Sequence, residues 1–190
     1  MRMPPVQTRR FTRAEYDRLI AGGFFDEDEP IELLDGVLAV KEPQGSTHVR
    51  MVSHVRRALQ RAFGDRYDVL VQSPIALDDA SEPEPDLAVV RERPKEHLQS
   101  LPSAPVLIVE VADSSLRKDR DEKGRLYARN GVADYWIVNL VDRALEVRRD
   151  PARSSGGRWR YRSVRVLRPG AFVRPLAAPR ARLRVAHLLP

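Results

Sequence analysis

The chain of 190 residues contains no cysteine, which excludes a disulfide framework and any thiolate metal site. No stretch is apolar enough over enough residues to span a bilayer, and residues 1–10 lack the apolar run of a signal peptide; a cytoplasmic protein without a membrane partner is expected. There is no internal repeat, no Gly-rich phosphate loop, no paired-histidine zinc motif and no serine or cysteine triad signature. Lysine is scarce: Lys41, Lys95, Lys118 and Lys123 are four among 33 basic residues. Acid is missing from residues 151–190, which hold ten arginines. Set against the net +6 of the whole chain, that +10 leaves −4 for residues 1–150. Such an asymmetry fits a nucleic-acid or other polyanion partner, and it fits equally a solvated arginine-rich surface.

What is present centres on Pro85 to Trp136. Pro85 fixes an extended entry into Asp86-Leu87-Ala88-Val89-Val90, and Pro105 to Ala112 reads as a second strand. Alternation along that strand puts Glu110 on one face with Val106, Ile108 and Ala112, and Leu107, Val109 and Val111 on the other. With both faces apolar, the strand is expected to be central, and an ionised Glu110 there needs either an arginine partner or a metal ion. Asp86 is either a turn residue or, if the two short strands are neighbours, an acid that converges with Glu110. A helix from about Lys118 to Arg129 is closed by Asn130-Gly131. Leu116, Lys123, Leu126 and Tyr127 fall on one of its stripes, so Lys123 is on the packed side, unless it forms a surface pair with Asp119. Two acids and a lysine thus form a candidate metal site.

The remaining chain frames this stretch as one domain with an α/β (α+β) fold: a mixed central sheet flanked by helices, an N-terminal helix and hairpin, and a C-terminal β extension. Residues 1–10 form a basic arm, 11–150 the main body and 151–190 an arginine-rich extension of the same domain. Thr12 and Glu15 make a capping box for a helix from Arg13 to Ala21, with Phe11 as staple and Tyr16, Leu19 and Ile20 packed. Asp26 to Glu29 is an acidic turn, and Asp35-Gly36 joins hairpin arms 31–34 and 37–41. A helix opening at Ser46 or Thr47 carries His48, Val52, Val55, Leu59 and Phe63 on one stripe, with His54 off it and facing solvent. A strand over about 67–77 and an acidic loop over 78–85 follow. Strand 134–140 is expected to run parallel to 105–112. After strand 144–149 and a linker over 150–157, Arg158, Arg160 and Arg162 alternate with Trp159 and Tyr161. A shift of apolar phase to Val164 and Val166 predicts a bulge near Ser163. The arginine face could track a nucleic-acid backbone, and the aromatic one could pack the sheet.

The ordered segments Ile31-Glu32-Leu33-Leu34-Asp35-Gly36, Pro85 to Val90, Leu107 to Val111, Asp119 to Lys123 and Tyr127 to Val138 resemble the Uma2-like endonucleases, within the PD-(D/E)xK superfamily. The resemblance covers roughly residues 11 to 150. It implies a restriction-endonuclease-like fold with Asp86 and Glu110 as metal ligands. The superfamily's lysine, two residues after the second acid, is replaced here by Ala112, and the resemblance makes Lys123 its counterpart on the following helix. Asp134, where the family usually shows Glu, and Asn139, where Asp is common, are further departures. The implied activity is Mg²⁺-dependent (or Mn²⁺-dependent) hydrolysis of phosphodiester bonds in DNA, with Lys123 orienting or deprotonating the attacking water. Glu32 is a third acid or a residue flanking the Asp35-Gly36 turn, and His48 lies beside the site or in the packing. A homodimer would suit cleavage of both strands. The alternative is an inactive nuclease fold that binds nucleic acid or serves assembly.

Overall fold

The computed structural model describes residues 8–26, 29–92 and 100–190; most of the basic N-terminal arm, the middle of the Asp26 to Glu29 turn and Lys95 lie outside them. Helix α1 (Arg13–Ala21) opens with the Thr12–Glu15 capping box, both halves of which are formed. Phe11 packs in one cluster with Tyr16, as a staple requires. Ile20, expected in that packing, is 51% exposed. The hairpin β1 (Ile31–Leu34) and β2 (Val37–Val40) turns at Asp35 and Gly36, both at positive φ (51° and 77°), the dihedral signs of a type I′ turn. A Cβ on Gly36 would stand 2.6 Å from the Cβ of Arg10, so glycine is required on two counts.

Six further strands, β3 (Tyr67–Val71), β4 (Leu87–Arg91), β5 (Leu107–Ala112), β6 (Asp134–Asn139), β7 (Ala144–Arg153) and β8 (Trp159–Leu167), form one sheet in that order. Only the β5–β6 pair is parallel, so the sheet is mixed, as the pattern implied. Helix α2 (Ser46–Phe63) lies on one face, its Val52, Val55 and Leu59 clustered with Leu87, Val89, Leu107, Val109, Val111 and Trp136. The other face carries Ile108, Ala112, Tyr135 and Ile137 against Tyr127 and Ala128, which belong to α4 (Gly124–Arg129). Expectation and structure thus agree on the two faces of β5, except that Val106, one residue before the strand, packs with the α2 side. Among the described residues, no helix is long and apolar enough to cross a membrane.

Three elements depart from the sequence reading. Strand β3 ends at Val71, not Leu77, because Gln72 takes φ +45° and turns the chain away from the ladder. The linker over 150–157 is half strand: β7 continues to Arg153, and only Ser154 to Gly157 turn. The apolar phase of β8 does shift, since Tyr161 packs under α4 and Leu167 under α2, yet no residue is inserted. Register is the same on both sides, from Leu145↔Leu167 to Arg153↔Trp159. Asp150, at φ +62°, breaks the alternation, opposite Arg162. His54 is also not free in solvent, for its Nε2 meets the carbonyl of His187 at 2.8 Å.

The C-terminal segment is held to the sheet by Asp134, which is fully buried. Its carboxylate receives Trp136 Nε1 (2.7 Å), Arg149 Nε (2.7 Å) and the amide of Leu176 (2.9 Å). Removing it would leave a guanidinium and two N–H groups without their acceptor. Asp134→Ala is expected to lower unfolding stability by about 3 kcal/mol and to open residues 174–190 to limited proteolysis. An unchanged urea midpoint and digestion pattern would show that the tail is held elsewhere.

Candidate active site

Asp86 immediately precedes β4, and the β4–β5 ladder ends at Leu87↔Val109. Continued by one position, that register sets Asp86 opposite Glu110. The backbone closes the pair: the Asp86 amide donates to Glu110 Oε2 (3.2 Å), and the Val111 amide donates to Asp86 Oδ2 (2.8 Å). The two acids therefore converge because antiparallel pairing places the start of β4 beside the end of β5.

Helical structure brings the lysine in. Leu116–Lys118 (α3) leads into a π-helical turn, Asp119–Lys123, and then α4. The wide turn is held from the sheet, since the Tyr135 hydroxyl donates to the carbonyl of Asp119 (3.0 Å) and Arg148 Nη1 to that of Arg120 (3.3 Å). Single π turns of this kind recur at functional sites. Here Asp119 and Lys123 both point inward, at 2% and 6% exposure, so the surface pair considered for them does not form. Lys123 Nζ donates to Glu110 Oε1 at 3.0 Å and stands 3.6 Å from Glu32 Oε2. Glu32, fully buried on β1, also accepts from Lys118 Nζ (3.1 Å) and the Glu84 amide (3.1 Å). His48, from the first turn of α2, meets Asp86 Oδ1 at 2.9 Å. Glu32 and His48 thus stand in the same cleft, of about 180 Å³, as Asp86, Glu110 and Lys123.

Two neighbours escaped the sequence reading. Tyr127 donates its hydroxyl to Glu110 Oε1 at 2.7 Å; its place on the Lys123 stripe was legible, its polar end was not. Asp119 accepts from Ser115 Oγ (2.6 Å), and its i,i+4 spacing to Lys123 was the one signal, masked by the unforeseen π turn. The arginines divide differently from the expectation. Arg158 and Arg160 line a separate cleft, and Arg162 is paired with Asp150.

Burial drives the Glu110 pKa upward, Asp119 and Asp86 add to the rise, and Lys123 opposes it. For Lys123, burial disfavours the ammonium, but Glu110, Glu32 and Asp119 outweigh it and raise the pKa. Burial likewise works against Glu32, yet Lys123 and Lys118 hold it low. His48 is raised against its burial by the hydrogen bond and charge of Asp86. Lys123 and Tyr127 both donate to the buried Glu110 carboxylate, and among the described residues no group of three or more His, Asp or Glu could hold an ion. Two carboxylates at the cleft nonetheless fit Mg²⁺, which binds through one or two carboxylates and retains waters.

The model of the Uma2 family, described as "Putative restriction endonuclease", matches residues 13–186. No curated protein matches the chain. Among solved structures, the chain is similar to a crystal structure of "a putative nuclease belonging to DUF820" from Anabaena variabilis ATCC 29413. The two are 16% identical with a TM-score of 0.70, over 94% of this chain and 97% of that one. That likeness shows the fold, including the restriction-endonuclease-like sheet expected from the segments.

Beside the cleft, Glu82 bridges to β1 through its backbone and is 4% exposed, with Oε2 unpartnered. Burial, with Asp17 and Glu84, pushes its pKa from 4.5 up to about 7. A raised carboxyl pKa stabilises the fold below the unfolded value and loses that contribution as pH rises through the folded one. Glu82→Gln is therefore expected to exceed the parent in stability by about 1–2 kcal/mol at pH 8 and to match it near pH 4.5. Denaturant melts at both values check this, and a difference independent of pH would contradict it.

Proposed function

The chain belongs to the Uma2 family, and on that premise we propose that it is a divalent-metal-dependent endonuclease that hydrolyses phosphodiester bonds in DNA. The observation that supports this best is the convergence of Asp86 and Glu110 at the mouth of β4 and β5, with Lys123 Nζ 3.0 Å from Glu110. Asp86 and Glu110 would hold the ion, Mg²⁺ or Mn²⁺. When bound, such an ion supplies Lewis acidity to a scissile phosphate and lowers the pKa of water.

The side chains supply the rest. Lys123, kept protonated by the acids around it, would donate hydrogen bonds toward the charge that builds on the phosphoryl oxygens. Glu32 and Tyr127 would be positioning residues, the first holding Lys123 and the second holding Glu110. His48, bonded to Asp86, would fix the orientation of that carboxylate and add positive charge at the entrance. One site per chain would cut both strands of a duplex most simply as a pair of copies. A second reading, a binding module without catalysis, is favoured by the hydrogen bonds of Lys123 and Tyr127 to Glu110, which occupy that carboxylate with protein donors.

Supercoiled and single-stranded DNA incubated with Mg²⁺ or Mn²⁺ separate the two. Metal-dependent nicking is expected, falling by about 100-fold or more in Asp86→Asn, Glu110→Gln and Lys123→Met, with circular dichroism and melting to verify folding. Parent-level nicking by folded Asp86→Asn would refute the assigned ligand. Binding that resists a chelator, with no cleavage by the parent, would favour the module.

A further inference from the structure

The helical segment that carries Lys123 has a second face. Ser115, Lys118, Asp119 and Lys123 look into the acidic cleft, while Arg117, Arg120, Gly124 and Arg125 look the other way. On that side, between the helix and the β7–β8 hairpin, lies a cleft of about 570 Å³, within the range of small-molecule pockets. Six arginines line it, against Asp121 and Glu122.

Those arginines are of two kinds. Arg120 and Arg148 are held from below by the buried Glu146, which accepts from Arg120 Nε at 2.9 Å and Arg148 Nη2 at 2.9 Å. They form a fixed floor. Arg117, Arg125, Arg158 and Arg160 have no carboxylate partner among the described residues, and all four are exposed. Counting Glu146 with the two rim acids, the walls retain a surplus of three positive charges. Trp159, the first residue of β8, lies between Arg158 and Arg160 in sequence and is half-buried against the α4 side of the sheet. Arg153 lies 5.9 Å from its ring centroid. A partly open indole in one cleft with arginines that lack a carboxylate partner among the described residues is a combination that holds single strands, through phosphate contacts and base stacking.

We propose that this cleft binds a single-stranded segment of nucleic acid, with phosphates on Arg117, Arg158 and Arg160 and one base against Trp159. The identity of the polymer rests on the nuclease reading. The placement rests on the cleft itself, which shares a wall with the acidic site and would deliver a strand to it around one helix. A duplex fits less well, because a stacking ring in a recess needs an unpaired base.

Fluorescence isolates the site, because Trp136 is fully buried and bonded to Asp134, leaving Trp159 as the tryptophan that a ligand can reach. The full chain is titrated with the oligonucleotide (dT)12 in chelator at low salt, by tryptophan quenching and by anisotropy of a labelled strand. Quenching is expected, with Kd raised at least tenfold in Arg158→Ser/Arg160→Ser. Trp159→Ala is expected to bind about tenfold more weakly, and Trp159→Phe close to the parent. The double arginine variant should also flatten the slope of log Kd against log salt by about 1.4. No quenching, equal affinity in the double variant, or tighter binding of a 12-base-pair duplex would each overturn the proposal. Quenching by (dT)12 from a protein that cuts nothing would uphold it while the nuclease reading fails. Nicking without quenching would do the reverse.

Discussion

Glu110 is 2% exposed in the middle of a two-faced sheet, and its burial governs the arrangement around it. An ionised carboxyl group there is costly unless its oxygens are filled. Three donors fill them: the Asp86 amide, Lys123 Nζ and the Tyr127 hydroxyl. Each donor arrives from a different element, so satisfying one side chain fixes the end of β4, the pitch of the helix and the seat of α4. Lys123 in turn reaches Glu32 on the hairpin. The hairpin, which pairs with no strand of the central sheet, is thereby tied to it through charge.

Much of this could be read from residue order, for identifiable reasons. Period-two alternation in β5 assigned Glu110 to its face, and the apolar character of both faces marked the strand as central. The Asp35-Gly36 turn, the capping box at Thr12 and the Pro85 entry to β4 are local signals, and local signals survive folding. Asp86 was legible only on the expectation that the two short strands are neighbours, which the β4–β5 ladder meets. Glu32 and His48 were harder, since each depends on where a remote element docks: Glu32 on the seat of the hairpin, His48 on the angle of α2 across the sheet.

The errors have one source, contacts that override local pattern. The π turn is sustained by Tyr135 and Arg148 from β6 and β7, so nothing within Asp119 to Lys123 announces it. The change of face in β8 was visible as a shift in apolar phase, but its cause lies across the ladder at Asp150. Gln72 ended β3 six residues early in the same way, through a backbone conformation that its residue type does not advertise. Arg158, Arg160 and Arg162 looked equivalent by alternation, yet Arg162 is neutralised by Asp150 while Arg158 and Arg160 have no carboxylate partner among the described residues.

Strand order in the central sheet repeats chain order from β3 to β8. Every strand finds its partner in the next one along the chain, so each closure is short and its entropy cost small. The hairpin is the exception: Glu32 meets Lys118 and Lys123 across 86 and 91 positions of sequence. The chain thus contains two topological regimes, a sheet built from near neighbours and a lid of acid that depends on a distant loop closure. The polar cleft sits at the seam between them.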